Sequence, residues 1–281
     1  MIKYLPKRER TVFLLPLLFA VFLSACVSHL KDSKFYYVQA QGFSKVYQTE
    51  KAIASFKKSL EEAKKEMVRK PSAQAYMIKG LAELHLSLWE EAERSFLDAF
   101  SYGFEEGQEW ASGVSLFGLA SAMEEMGLED SAFQIYAYLV DRSKLKPVTV
   151  FAAQKYTELS LQEALGEEGK QREKKLSALL KKAEALAGKD LSCGFFHYLQ
   201  SQVLGHTHEY RKSFEEAVMA KELGLPTQEI LRDNDLQIVF CFQRLKEELS
   251  QEEREKFVAL YLEWVKRWSW PGPEIPDWKK R

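Results

Sequence analysis

The chain of 281 residues is long enough for one large domain or two ordinary ones, each with a proper core. Its 46% hydrophobic and 29% charged residues exclude a disordered chain, and only 8 Pro and 14 Gly argue against an all-β protein built on tight turns. The 40 Lys and Arg against 41 Asp and Glu give a net charge of -1, without the basic excess of a nucleic-acid binder, so no nucleic-acid partner is expected.

The first ten residues carry Lys3, Lys7, Arg8 and Arg10, and an apolar run interrupted by Pro16 extends from Val12 to Leu23. As a helix that run reaches about 18 Å, short of the roughly 30 Å hydrocarbon core, so it reads as a secretory signal and not as a membrane span. It ends on Leu23-Ser24-Ala25-Cys26, which resembles the bacterial lipobox. The resemblance implies that residues 1–25 are cleaved as a lipoprotein signal peptide and that Cys26 is lipidated. Two or three acyl chains would then tether the protein stably to a membrane. The plainer alternative is an ordinary signal peptide with Cys26 as an incidental thiol. Val27 follows in place of an Asp, which within lipoproteins points to the outer membrane, facing the periplasm.

After a short linker at 26–32, the sequence predicts helices and no convincing strand. Tyr76, Gly80, Trp89, Ala92, Phe96 and Ala99 place an aromatic and a small residue on one helix, then Ala, an aromatic and Ala on the next. A shift of 40 residues back repeats the register at Tyr36, Ala40, Phe43, Ala52, Phe56 and Ser59. A shift of 40 forward repeats it at Leu116, Ala120, Gly127, Ala132, Tyr136 and Leu139. Fainter pairs follow near 149–187 and 195–223, the latter with Tyr198, Gly205, Tyr210, Phe214 and Ala217. These residues resemble the tetratricopeptide repeat (TPR) over roughly residues 33–224, with a longer period than is usual and without Pro at most repeat ends.

The resemblance implies an all-α fold, a right-handed α-α superhelix or TPR-like solenoid with an atypical C-terminal helical cap at 225–268. In that cap Thr227 and Asp235 are expected to open short helices, and Ser250-Gln-Glu-Glu253 is a capping box for one ending near Trp268. The tail 269–281, with Pro271, Pro273, Pro276, Trp270 and Trp278, reads as extended. The C-terminal Trp residues form either a docking surface or a cover for the last helix pair; the cover is favoured because a terminal unit has no neighbour.

No motif carries catalysis, and no metal or cofactor is expected; the chain reads as a non-enzyme. His206-Thr-His208-Glu209 is the one tempting metal cluster, but ligands two apart diverge on a helix, so surface turn residues is the better reading. Asp233-Asn-Asp235 is read as helix capping, and Glu61-Glu62 and Glu167-Glu168 as solvated faces. Cys193 and Cys241 could pair in an oxidising compartment; two buried free thiols are favoured.

In tetratricopeptide proteins the first helix of each pair lines a groove for partner segments. By register the resemblance places Tyr37, Gln41, Met77, Leu81, His85, Phe117, Ser121 and Glu124 there. The function so implied is a membrane-anchored scaffold or assembly factor of the bacterial cell envelope, with other envelope proteins as partners. The alternatives are an accessory lipoprotein of a periplasmic solute transporter of the TRAP-associated type and an envelope hydrolase with scattered catalytic groups.

Overall fold

The computed structural model describes residues 28–268; the lipidation residue Cys26, the signal segment and the tail from Ser269 lie outside them. The described residues form twelve helices and no strand. In chain order they are α1 (His29–Lys45), α2 (Thr49–Arg69), α3 (Ala73–His85), α4 (Trp89–Tyr102), α5 (Glu109–Glu125), α6 (Glu129–Arg142), α7 (Lys146–Leu165), α8 (Gly169–Lys189), α9 (Gly194–His206), α10 (Tyr210–Leu223), α11 (Gln228–Glu248) and α12 (Gln251–Arg267). None is long and apolar enough to cross a membrane. The fold is all-α and TPR-like. Helix α1 begins at His29, inside the stretch 26–32 expected as a linker; Ser28 caps it by accepting from the Lys31 amide.

The chain divides into two compact units, one ending at Tyr156 and the other beginning at Thr157, where the sequence reading runs a single array through residue 224. In the first unit, hairpins α1–α2, α3–α4 and α5–α6 repeat the forty-residue register in three dimensions. On the second helices, Ala52, Ala92 and Ala132 are buried at one level, and Phe56, Phe96 and Tyr136 one turn further on. Small residues let the helices approach, and the rings fill the space beside them. Phe96 shows this most sharply. Its ring is fully buried between Gly80 of α3 and Gly118 of α5, so close that a Cβ on either glycine would collide with it.

The turns repeat as well. Gln48, Leu88 and Leu128 donate their amides to the carbonyls of Phe43, Glu83 and Met123 at 2.9, 3.0 and 2.8 Å. These are the six-to-one bonds that close a helix on a left-handed residue. That residue is Tyr47 (φ 58°), Ser87 (φ 59°) or Gly127 (φ 78°). Only Gly127 announces the stop in sequence; at the other two the turn forces an L-residue into a conformation that glycine adopts freely.

In the second unit, Phe214, Ile238, Cys241, Phe242, Val258 and Tyr261 form the core between α10, α11 and α12. The capping box at Ser250 and Glu253 opens α12 as expected. Thr227 caps α11 through the Ile230 amide, but Asp235 opens no second helix. Ile230, Asn234, Ile238, Cys241 and Leu245 form one buried stripe at helical spacing, so α11 runs unbroken from 228 to 248. Asp233, Asn234 and Asp235 therefore sit mid-helix and bond to Tyr198, to the Ala217 carbonyl and to Lys221. Trp264 and Trp268 stack on each other and lie against the Phe214 core, with the Trp268 indole N–H on Glu222. For these two residues the covering role holds; Trp270 and Trp278 lie outside the described residues. Cys193 and Cys241 are both buried and free.

Candidate functional site

The first helices of the three hairpins in the first unit carry the residues expected to meet a partner, and the structure gathers them into two groups. Tyr37 and Gln41 of α1 meet His85 of α3. Gln41 Nε2 donates to Tyr37 Oη at 3.3 Å, and Tyr37 Oη lies 3.1 Å from His85 Nε2. The His85 ring stacks on Phe56 of α2, centroids 4.4 Å apart, and Tyr37 meets the same ring edge-on. Burial pushes the Tyr37 hydroxyl up to about 12, with Gln41 acting in the opposite sense. Burial of the ring also lowers His85 from its ordinary value, although the residue as a whole counts as exposed. Both shifts favour the neutral phenol and the neutral imidazole.

The second group is Phe117, Ser121 and Glu124 of α5. Phe117 packs on Tyr136 and Phe151 at 5.6 and 6.3 Å. Ser121 Oγ donates to the Phe117 carbonyl at 2.9 Å and lies 3.2 Å from Tyr136 Oη. Glu124 accepts from Tyr136 Oη and from Lys155 Nζ, both at 2.8 Å. Its charge is thus already balanced, leaving Phe117 and Ser121 as the half-exposed part of this group.

Between the groups the expectation is corrected at one position. Met77 is 1% exposed and belongs to a core with Ile78 and Ala111, so it presents no surface. Leu81 is half-buried between that core and the one around Phe96. The open polar atoms near this level come instead from residues the sequence reading passed over. Lys34 of α1 donates to Gln74 of α3 at 2.7 Å, and its ammonium lies 6.0 Å from the ring of the exposed Trp110 at the start of α5. Burial lowers Lys34 from its ordinary value. The same forty-residue shift, started three residues before Tyr37 and Met77, aligns 34 with 74 and was the available signal.

A cleft of about 390 Å³ opens beside Trp110, lined also by Leu116, Tyr138, Arg142 and Lys144. Beneath the face, Glu83 is buried at 2% exposure, with Lys79 Nζ at 2.7 Å and the Ser95 hydroxyl at 2.5 Å. This carboxylate is fully engaged by α3 and α4 and fixes the hairpin. His208 sits exposed in the turn after α9 (φ 63°) on Tyr210 Oη, as a surface turn residue, whereas His206 is the last residue of α9 and half-buried. Glu61 is exposed as expected, but Glu62 is half-buried and paired with His29 and Lys65.

No protein-family model matches the chain, and no curated protein does. Several solved structures resemble it, among them three tetratricopeptide-type chains. YrrB, described as a TPR protein with an unusual peptide-binding site, is 18% identical over 70% of this chain and 89% of its own, with a TM-score of 0.39. PilF of Pseudomonas aeruginosa is 14% identical over 83% and 99%, with a TM-score of 0.48. A tetratricopeptide repeat protein of Parabacteroides merdae is 17% identical over 82% and 80%, also with a TM-score of 0.48.

Proposed function

We propose that the chain is a scaffold or assembly factor of the bacterial cell envelope, tethered through a lipid on Cys26, with envelope proteins as partners. A partner segment docks across α1, α3 and α5. One observation carries this reading. Three successive first helices contribute partly open aromatic and hydrogen-bonding side chains to adjacent positions: Tyr37, Gln41 and Lys34, then Gln74 and His85, then Trp110, Phe117 and Ser121. Rigid rings with a polar edge are suited to protein contacts, since they lose little side-chain entropy on binding. The tether rests on the lipobox-like residues Leu23–Cys26 alone.

Crosslinking in living cells followed by pulldown tests the scaffold role. The intact chain should retain a defined envelope protein, and a His85→Ala/Phe117→Ala variant should lose it while remaining folded. Undiminished capture by that variant would remove the proposed face. Labelling with a fatty acid tests the tether: the wild type should label and Cys26→Ala should not.

A further inference from the structure

The start of the first hairpin brings together three side chains that the sequence separates by up to 33 residues. His29 and Asp32 lie one turn apart on α1, and Glu62 faces them from α2. A His29 ring nitrogen, an Asp32 carboxylate oxygen and a Glu62 carboxylate oxygen all lie within 4.8 Å of one another. All three residues are half-buried. From these positions we propose that His29, Asp32 and Glu62 form a site for a divalent transition-metal ion, of which Zn²⁺ is the representative, joining α1 to α2.

Three features support the assignment. The donor set is one imidazole and two carboxylates, which suits a borderline cation such as Zn²⁺ better than Mg²⁺ or Ca²⁺; with water in the fourth position it makes an ordinary open tetrahedral site. Metal–ligand bonds of about 2.0–2.2 Å place tetrahedral ligand atoms roughly 3.3 Å apart, within reach of small side-chain rotations here. The backbone beneath is fixed: Ser33 Oγ donates to the Ser59 carbonyl at 2.8 Å, and Ser59 Oγ to the Ser33 carbonyl at 2.9 Å. Both serines are fully buried, one residue from Asp32 and three from Glu62, so the two helices hold the ligands in register.

A simple ion pair accounts for less. Glu62 has two nitrogen neighbours, His29 at 2.6 Å and Lys65 at 2.6 Å. Asp32, aimed at the same point, has no hydrogen bond or ion pair among the described residues. A metal would displace Lys65 from Glu62 and take the place of the hydrogen that His29 Nδ1 now donates to that carboxylate.

The test is titration of Zn²⁺ into the full chain against a chromophoric chelator, in a background carrying His206→Ala and His208→Ala so that the imidazole pair around that turn gives no signal. Circular dichroism checks that each variant is folded. One ion should bind per chain, and His29→Gln and Glu62→Gln should each weaken it by about tenfold or more. Lys65→Ala should tighten it, because a competitor for Glu62 is gone. Absence of saturable Zn²⁺ binding, binding unchanged in both glutamine variants, or weaker binding in Lys65→Ala would each overturn the assignment.

Discussion

The contact between Phe96 and its two glycines yields an inverted response to a familiar substitution. In an exposed helix, Gly→Ala stabilises by roughly 0.5–1 kcal/mol, because alanine loses less backbone entropy. Gly42 of α1 meets that condition, since an added Cβ there has nothing within 4 Å. At Gly118 the added Cβ would sit inside the contact distance of Phe96 Cζ, and at Gly80 it would lie 2.9 Å from Phe96 Cε1. Phe96 has no exposed surface, so its ring cannot swing into solvent. Overpacking of this kind costs about 1–3 kcal/mol; a Cβ this deep inside contact distance falls in the upper part of that range, so after the helix gain Gly118→Ala is destabilising by about 1–2 kcal/mol. Urea unfolding followed by far-UV circular dichroism measures both variants. With a slope of about 1–3 kcal/mol per molar, the two midpoints should move in opposite directions by a resolvable amount. In a Phe96→Leu background the penalty at Gly118 should shrink, since the colliding atoms are gone. A Gly118→Ala chain as stable as Gly42→Ala would refute the packing argument.

Four further outcomes follow from the same coordinates. Ser87→Gly should stabilise by about 1 kcal/mol in thermal or urea unfolding, because it relieves a left-handed L-residue at a turn where Gly127 already serves in the next repeat. Because burial lowers His85, the folded state binds fewer protons than the unfolded state once the pH nears the ordinary value of 6.5. Stability is therefore lost as the pH falls through that value, and urea midpoints at about pH 7.5 and 5.5 should differ less in His85→Gln than in the parent. Asn234→Asp should destabilise by about 3 kcal/mol or more, since a buried carboxylate would face the Ala217 carbonyl that the amide now serves. Cys193 and Cys241 should resist a thiol reagent in the native chain and react in denaturant; burial also raises the Cys241 thiol, so fast native labelling there would contradict its placement.

The repeat was legible in sequence because packing of matched side chains imposes residue size at fixed spacing. Ala52, Ala92 and Ala132, with Phe56, Phe96 and Tyr136, are both the pattern in the letters and the core in space. Gly127 marked its turn, whereas Tyr47 and Ser87 concealed theirs, since tertiary packing can hold an unfavourable residue in a left-handed position. The interruption expected at Asp235 failed for a related reason. A capping residue is informative only where no apolar stripe runs through it, and the stripe from Ile230 to Leu245 does. On the candidate face, register put Tyr37 and Gln41 on α1 and His85 on α3, where these side chains meet, but could not foresee that Met77 turns into the core between hairpins. Contacts such as Lys34 with Trp110, or His29 with Glu62, depend on which helices become neighbours and at what height, and no local spacing encodes that.

Site-specific photo-crosslinking in cells tests the central claim most directly. A photoreactive residue at Gln41 of α1 or Ser121 of α5 should capture a discrete partner, while the same residue at the exposed Lys57 of α2 or Asp98 of α4 should not. Equal capture from all four positions, or capture only from the second helices, would contradict a partner face built by α1, α3 and α5.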